Sequence, residues 1–286
     1  MYIQTNMIKN MRLILFLTLV LCNSLYANND PVKPAEDNKE ILIFGIAPFM
    51  SSLALVKRMA PLRDYLSDKL GYTIVLETAT QAEEFMKRTI NGRYDFVMTS
   101  PTFALLAMDT QKFNLIASQS RELTGKLIVL MDSPYINLKD LEGKIIGAPP
   151  RVGFLGQLAE TFIASLGMNE APQIKYFHSH NDAISALRRK EIDATLIAGF
   201  MDKTLAKKGV HVRTLVQTPD FPGMSILTGV EMNDQTKLAL KKVLIEMSED
   251  VSGLKVLQEI SFPPFEHMEV KELERVRPYL PKAPKD

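Results

Sequence analysis

The chain has 286 residues, 46% of them hydrophobic and 23% charged, with 34 basic against 33 acidic side chains. That balance suits a folded globular protein and argues against a disordered one. It also leaves no concentrated basic face for nucleic acid.

Lys9 and Arg12 precede an apolar run from Leu13 to Cys22 broken only by Thr18. A basic flank, an apolar stretch too short to span a bilayer and a small residue at Ala27 read as a secretory signal over residues 1–27. The expected compartment is the periplasm. Loss of this leader leaves 32 basic against 33 acidic residues. Cys22, the only cysteine, lies within the leader and is a weak candidate for lipidation, because Leu21 before it is bulky. The mature chain then has no thiol for a disulfide, a nucleophile or a cysteine-ligated metal.

Residues 28–40 are polar with two prolines and read as a linker. Ile41 to Ala47 is a continuous apolar run of strand length, the pattern of a strand covered on both faces. Leu53, Val56, Met59, Leu62, Tyr65, Leu66 and Leu70 then recur at helical spacing and Gly71 supplies a stop, with Pro61 expected to kink the helix or divide it. Strand 73–77, helix 81–90, strand 94–98, helix 102–108 and strand 113–118 follow.

A second set begins with strands 127–131 and 144–148 and a helix stripe from Leu155 to Leu166. It continues through strand 173–177, helix 181–189, strand 192–197, helix 200–208 and strand 210–216. After Pro219 and Pro222 come strand 224–228, a helix near 233–248 and a proline-rich tail. The alternation predicts an α/β protein of two lobes, each a doubly wound and mostly parallel sheet, joined by two crossovers. Residues 41–131 and 217–286 form lobe 1, and residues 132–216 form lobe 2.

In open α/β sheets ligands bind outside the carboxyl ends of the strands, beside helix N-termini. That rule selects the loops 47–52, 99–103, 149–154, 178–181 and 198–201, which offer hydroxyls, aromatics, one arginine and a histidine pair. The candidate ligand-binding residues are Phe49, Ser51, Ser100, Thr102, Phe103, Arg151, Val152, Gly153, Phe154, Ser179, His180 and Phe200. Ser51, Ser100 and Thr102 have an alternative role as helix caps. Asp95 and Asp193 are expected to be structural. His178 and His180 lack a third ligand nearby, so no metal and no cofactor is expected. The chain has no G-x-x-x-x-G-K-[ST], H-E-x-x-H or G-x-S-x-G motif, and no catalytic residue is assigned.

The segments FGIAPFMSS, PLRDYLSDKLGY, NGRYDFVMTSPTFALLA, LKDLEGKIIGAPP and SHNDAISALRRKEIDA occur in this order over residues 41–230. Together they resemble the periplasmic phosphate/phosphite/phosphonate-binding proteins of ABC importers. The resemblance implies the type II periplasmic-binding fold, closing on a small molecule at hinges near 131 and 216. It also implies a membrane partner, an ABC permease or alternatively a sensor such as a histidine kinase, with the receptor itself a monomer. An exported enzyme on the same scaffold is a third expectation.

The ligand residues of that family carry over only in part. Its Ser-Thr-Ser-Gly cradle corresponds here to Arg151-Val152-Gly153-Phe154, and its tyrosine to Phe103. Ser179 and His180 carry over. Arg151 and the phenylalanines therefore point to a small anion with an organic body rather than to a simple phosphonate.

Overall fold

The structure is a computed structural model that describes residues 40–151 and 153–280. The expected leader, Cys22 and linker residues 28–39 lie outside the described residues. Among the described residues no helix is long and apolar enough to cross a membrane.

The first sheet is built from β1 (Ile41–Ile46), β2 (Thr73–Glu77), β3 (Phe96–Thr99), β4 (Phe113–Gln119), β10 (Ser225–Gly229) and β11 (Phe265–Glu266), in the order β11-β4-β10-β3-β1-β2. β1 pairs parallel with β2 and β3, whereas β10 runs antiparallel between β3 and β4. The second sheet holds β5 (Gly125–Leu130), β6 (Ile145–Ala148), β7 (Gln173–Tyr176), β8 (Ala194–Ala198) and β9 (Val212–Gln217), in the order β7-β6-β8-β5-β9. There β6 pairs parallel with β7 and β8, and β5 is the reversed strand. Each sheet thus has a mostly parallel set with a reversed strand inserted, the signature of a chain that leaves one sheet and later returns to it.

β5 corrects the expected lobe boundary. It bonds to β8 and β9, so the first crossover is residues 120–124 and not a point near 131. The continuous apolar run at 127–131 fits either sheet, and only its partners decide. The second crossover, residues 218–224, lies beside the expected position. An isolated antiparallel bridge, Leu123 to Phe221, ties the two crossovers together.

The helices are α1 (Ser52–Leu70), α2 (Ala82–Ile90), α3 (Pro101–Asp109), α4 (Phe154–Ser165), α5 (His180–Arg188), α6 (Met201–Lys207), α7 (Asp234–Ile245), α8 (Val251–Glu259) and α9 (Val270–Leu273). α1 is one uninterrupted helix despite Pro61. The carbonyl that Pro61 cannot satisfy belongs to Lys57, an exposed residue, so the lost bond falls on the solvent side of the helix. Gly71 ends it in the left-handed conformation at φ 74°, as its position in the sequence implies. The expected proline-rich tail is instead folded: α8, β11, α9 and a 3₁₀ turn over Glu274–Tyr279 pack Leu257, Phe265, Leu273 and Val276 into the interior.

Three apolar clusters hold these layers. One covers a face of the first sheet with α1, α7 and α8, and includes Phe44 stacked on its cross-strand neighbour Phe96 at 4.3 Å. Another covers the outer face of the second sheet with α5 and α6. The largest is shared: it joins Phe85, Val97 and Leu227 of lobe 1 to Leu127, Ile146 and Phe162 of lobe 2.

Candidate functional site

The C-terminal ends of β6 and β8 open onto a cavity of about 390 Å³. Its walls are the β6–α4 loop (Pro149, Pro150, Gly153), the first turn of α4 (Phe154, Leu155, Gly156), His180, the β8–α6 loop (Ala198, Gly199, Phe200) and the first crossover from Arg121 to Thr124. Most of this lining is apolar, as in small-molecule sites that fix a ligand with few polar groups.

Polar groups come from two helix starts and from Arg121, Glu122 and Thr124 of the first crossover. Gly153 caps α4 and has no side chain with which to bond the first-turn N–H groups. Gly153 and the first-turn residues Phe154, Leu155 and Gly156 line the cavity, so the positive end of this 12-residue helix adjoins it. Pro150 packs so closely on this turn that a Cβ on Gly156 would lie 2.0 Å from its carbonyl oxygen. His180 opens α5, and its Nδ1 is buried with no hydrogen-bond partner among the described residues. Burial disfavours the charged imidazolium and lowers the His180 pKa below its ordinary 6.5.

Of the residues expected from sequence, Gly153, Phe154, His180 and Phe200 line this cavity. Phe154 is 9% exposed and makes an edge contact with Phe221 at 5.3 Å, while Phe200 is 66% exposed at the rim. Ser179 serves as the cap of α5: its hydroxyl accepts from Asp182 N–H at 3.1 Å and donates to the Asp182 carboxylate at 2.8 Å. Val152 lies outside the described residues.

The other candidates sit elsewhere. Phe49 packs toward Phe262, 6.3 Å between ring centres, in the lobe 1 core. Ser51 is exposed at the start of α1 and makes no capping bond. Arg151 and Phe103 line a separate groove of about 1010 Å³ between α2 and α4. There the Arg151 guanidinium pairs with Glu160 at 2.7 Å and stacks 3.8 Å from the centre of the Tyr176 ring. With an acid and an aromatic face already engaged, this arginine is removed from the cavity wall.

Ser100 and Thr102, both buried, begin α3, and Ser100 accepts from the Phe103 N–H as its cap. Their hydroxyls also bond the side-chain oxygen of Gln157, which reaches over from α4. Sequence reasoning missed Gln157, whose position on the second turn of α4 lies outside the loops that the strand-end rule selects. It also misses Arg121 to Thr124, because the apolar pattern alone puts the first crossover near 131 and not at 120–124.

Among the described residues no group of three or more His, Cys, Asp or Glu side chains is placed to hold a metal.

Over residues 44–273 the chain matches the family described as the ABC transporter, phosphonate, periplasmic substrate-binding protein. Among curated proteins no sequence relative is found. Several solved structures share the fold. A binding protein component of an ABC phosphonate transporter from Pseudomonas aeruginosa superposes with a TM-score of 0.67 at 18% identity, covering 84% of this chain and 85% of the other. A Xanthomonas citri protein bound to ATP gives 0.72 at 16% identity, over 85% and 100% of the two chains. PhnD1 from Prochlorococcus marinus in complex with methylphosphonate gives 0.69 at 15% identity, over 83% and 96%. At such identities the likeness speaks for the fold alone.

Proposed function

We propose, for a chain that belongs to the periplasmic substrate-binding proteins of ABC phosphonate transporters and has their two-lobed type II periplasmic-binding fold, that it captures a small organic anion with an apolar body for an ABC permease. Members of this family bind a small molecule and hand it on; they are transport components and not enzymes.

The observation that carries the choice of ligand is the cavity at the ends of β6 and β8. It combines an uncapped helix start, a histidine and the Arg121–Glu122 pair of opposite charges with an apolar wall that includes Pro149, Pro150, Phe154 and Phe200. Residues 151–154 supply no hydroxyl. A phosphonate carries up to two charges on three oxygens and needs many donors to replace its hydration. One helix terminus, a histidine that burial keeps neutral, and the opposite charges of Arg121 and Glu122 suit a singly charged group better, and the apolar wall suits the rest of the molecule. Phe154, Gly153, His180 and Phe200 are the proposed contacts.

Thermal unfolding with a panel of anions tests this reading. Singly charged acids with an aliphatic or aromatic body should raise the melting temperature, since ligand at a hundred times its Kd stabilises by about 2.7 kcal/mol. Inorganic phosphate and methylphosphonate should leave it unchanged. A large shift with those two, and none with the organic acids, would overturn the assignment of ligand class.

A further inference from the structure

The chain carries an acceptor of its own between the two lobes. Gln157 sits on α4, which follows β6 of the second sheet, whereas Ser100 and Thr102 sit at the start of α3, which follows β3 of the first. Its carboxamide oxygen accepts from the Ser100 hydroxyl at 3.1 Å and from the Thr102 hydroxyl. The two hydroxyls are 2.8 Å apart, and both residues are at most 5% exposed. One oxygen is thus clamped by two buried donors across the lobe boundary, much as an oxygen of a bound ligand would be. The contact adjoins the cavity wall, because Gly156, the residue before Gln157, lines both the cavity and the α2–α4 groove.

We propose that Gln157 is an internal ligand for lobe 1: its carboxamide occupies the Ser100–Thr102 donor pair and draws the lobes together when no small molecule bridges them. Any ligand that reaches this pair must bring an oxygen acceptor of its own and displace Gln157. One that does not is held by lobe 2 and the crossover alone. The inference concerns the ligand-free protein and stands independently of the ligand class proposed above.

The energetics favour such a role. Opening the lobes takes that acceptor away; one hydroxyl can then donate to the other, 2.8 Å off, but the second is left for water to satisfy. A two-state lobe equilibrium balanced within a few kcal/mol responds measurably to a change of that size.

Spin labels placed through cysteines at Lys87 on α2 and Ser165 on α4 report the lobe separation in the purified mature protein without added ligand. Both sites are exposed on opposite walls of the groove. Gln157→Ala should shift the label-to-label distance to longer values. Thr102→Val, which keeps the shape and removes one donor, should shift it the same way. The double variant should move no further than Gln157→Ala alone, because the two act on one contact. Circular dichroism establishes that each variant is folded. Distances unchanged in Gln157→Ala, or shifts that add in the double variant, would overturn the proposal.

Discussion

At His180 the sequence supplies a titratable ring and the fold removes its water. The Nδ1 atom is buried without a partner, and burial is the cause that lowers its pKa. A histidine whose folded pKa lies below the unfolded 6.5 favours the folded state while neutral. Its contribution is complete above that value and is lost as pH falls through 6.5 toward the folded pKa. Unfolding measured between pH 8 and 5 should therefore show stability falling on the acid side, with a shallower fall in His180→Gln (values set by the ordinary histidine range). Equal slopes in both proteins would remove His180 as the cause. Gly156 poses the opposite kind of test. An alanine is worth about 1 kcal/mol more than glycine inside a helix. Here its Cβ would lie 2.0 Å from the Pro150 carbonyl oxygen and 2.5 Å from the carbonyl carbon, both rigid backbone atoms. Overpacking of this kind costs roughly 1–3 kcal/mol, so the clash outweighs the propensity. Gly156→Ala should lower the urea midpoint. A rise would mean that the loop yields easily and that the cavity wall is soft.

Among the elements, the two sheets repeat one device. The Asp95 carboxylate accepts from the Ile43 N–H at 2.6 Å while the Asp95 N–H bonds the Ile43 carbonyl. The Asp193 carboxylate accepts from Ile145 N–H at 2.9 Å and the Asp193 N–H bonds the Ile145 carbonyl. Each aspartate stands just before β3 or β8 and ties the start of that strand to its parallel neighbour, β1 or β6. Asp193 also takes the Tyr135 hydroxyl, and this bond is the main reason that the tyrosine pKa is pushed up to about 12. Removing the carboxylate leaves a strand N–H without its partner, at about 1–3 kcal/mol. Asp193→Ala should therefore lose more stability than Asp95→Ala, and the Tyr135 titration should fall back toward pH 10 in the first variant only. A Tyr135 titration unmoved by Asp193→Ala would show that burial, not the bond, holds the proton. The structural reading of both aspartates was available from sequence, since each precedes an apolar strand. So was much of the strand and helix order, because continuous apolar runs and glycine stops are local signals; of the five loops that the strand-end rule selects, 149–154, 178–181 and 198–201 contribute to the cavity and 47–52 and 99–103 do not. What the sequence left open depends on partners distant in the chain. β5 reads equally well in either sheet until β8 and β9 claim it, and Arg151 reads as an anion grip until Glu160 and Tyr176 are brought beside it. The C-terminal helices escaped notice because proline suggested a tail, although Phe265 and Val276 are buried.

For the molecule as a whole, the two lobes do not have separate interiors. Phe221, fully buried in the second crossover, stands between Phe154 at the cavity wall, 5.3 Å away, and Tyr279 of the C-terminal turn, 5.1 Å away, with both contacts edge to face. The chain of rings runs from the lobe 2 cavity through the crossover to a segment packed on lobe 1, inside the cluster that both sheets share. Such a joint should make the lobes unfold together, with calorimetric and van't Hoff enthalpies in agreement. Truncating a buried phenylalanine to alanine costs about 3–5 kcal/mol, a large share of the 5–15 kcal/mol that holds a typical domain. The loss falls on the joint and leaves the two outer clusters intact. Phe221→Ala should therefore lower the melting temperature and split the single transition into two, while the smaller truncation Phe221→Leu should lower it and keep one. If Phe221→Ala still melts in a single cooperative step, the lobes are coupled through the sheets and helices at large, and the aromatic joint is only one contact among many.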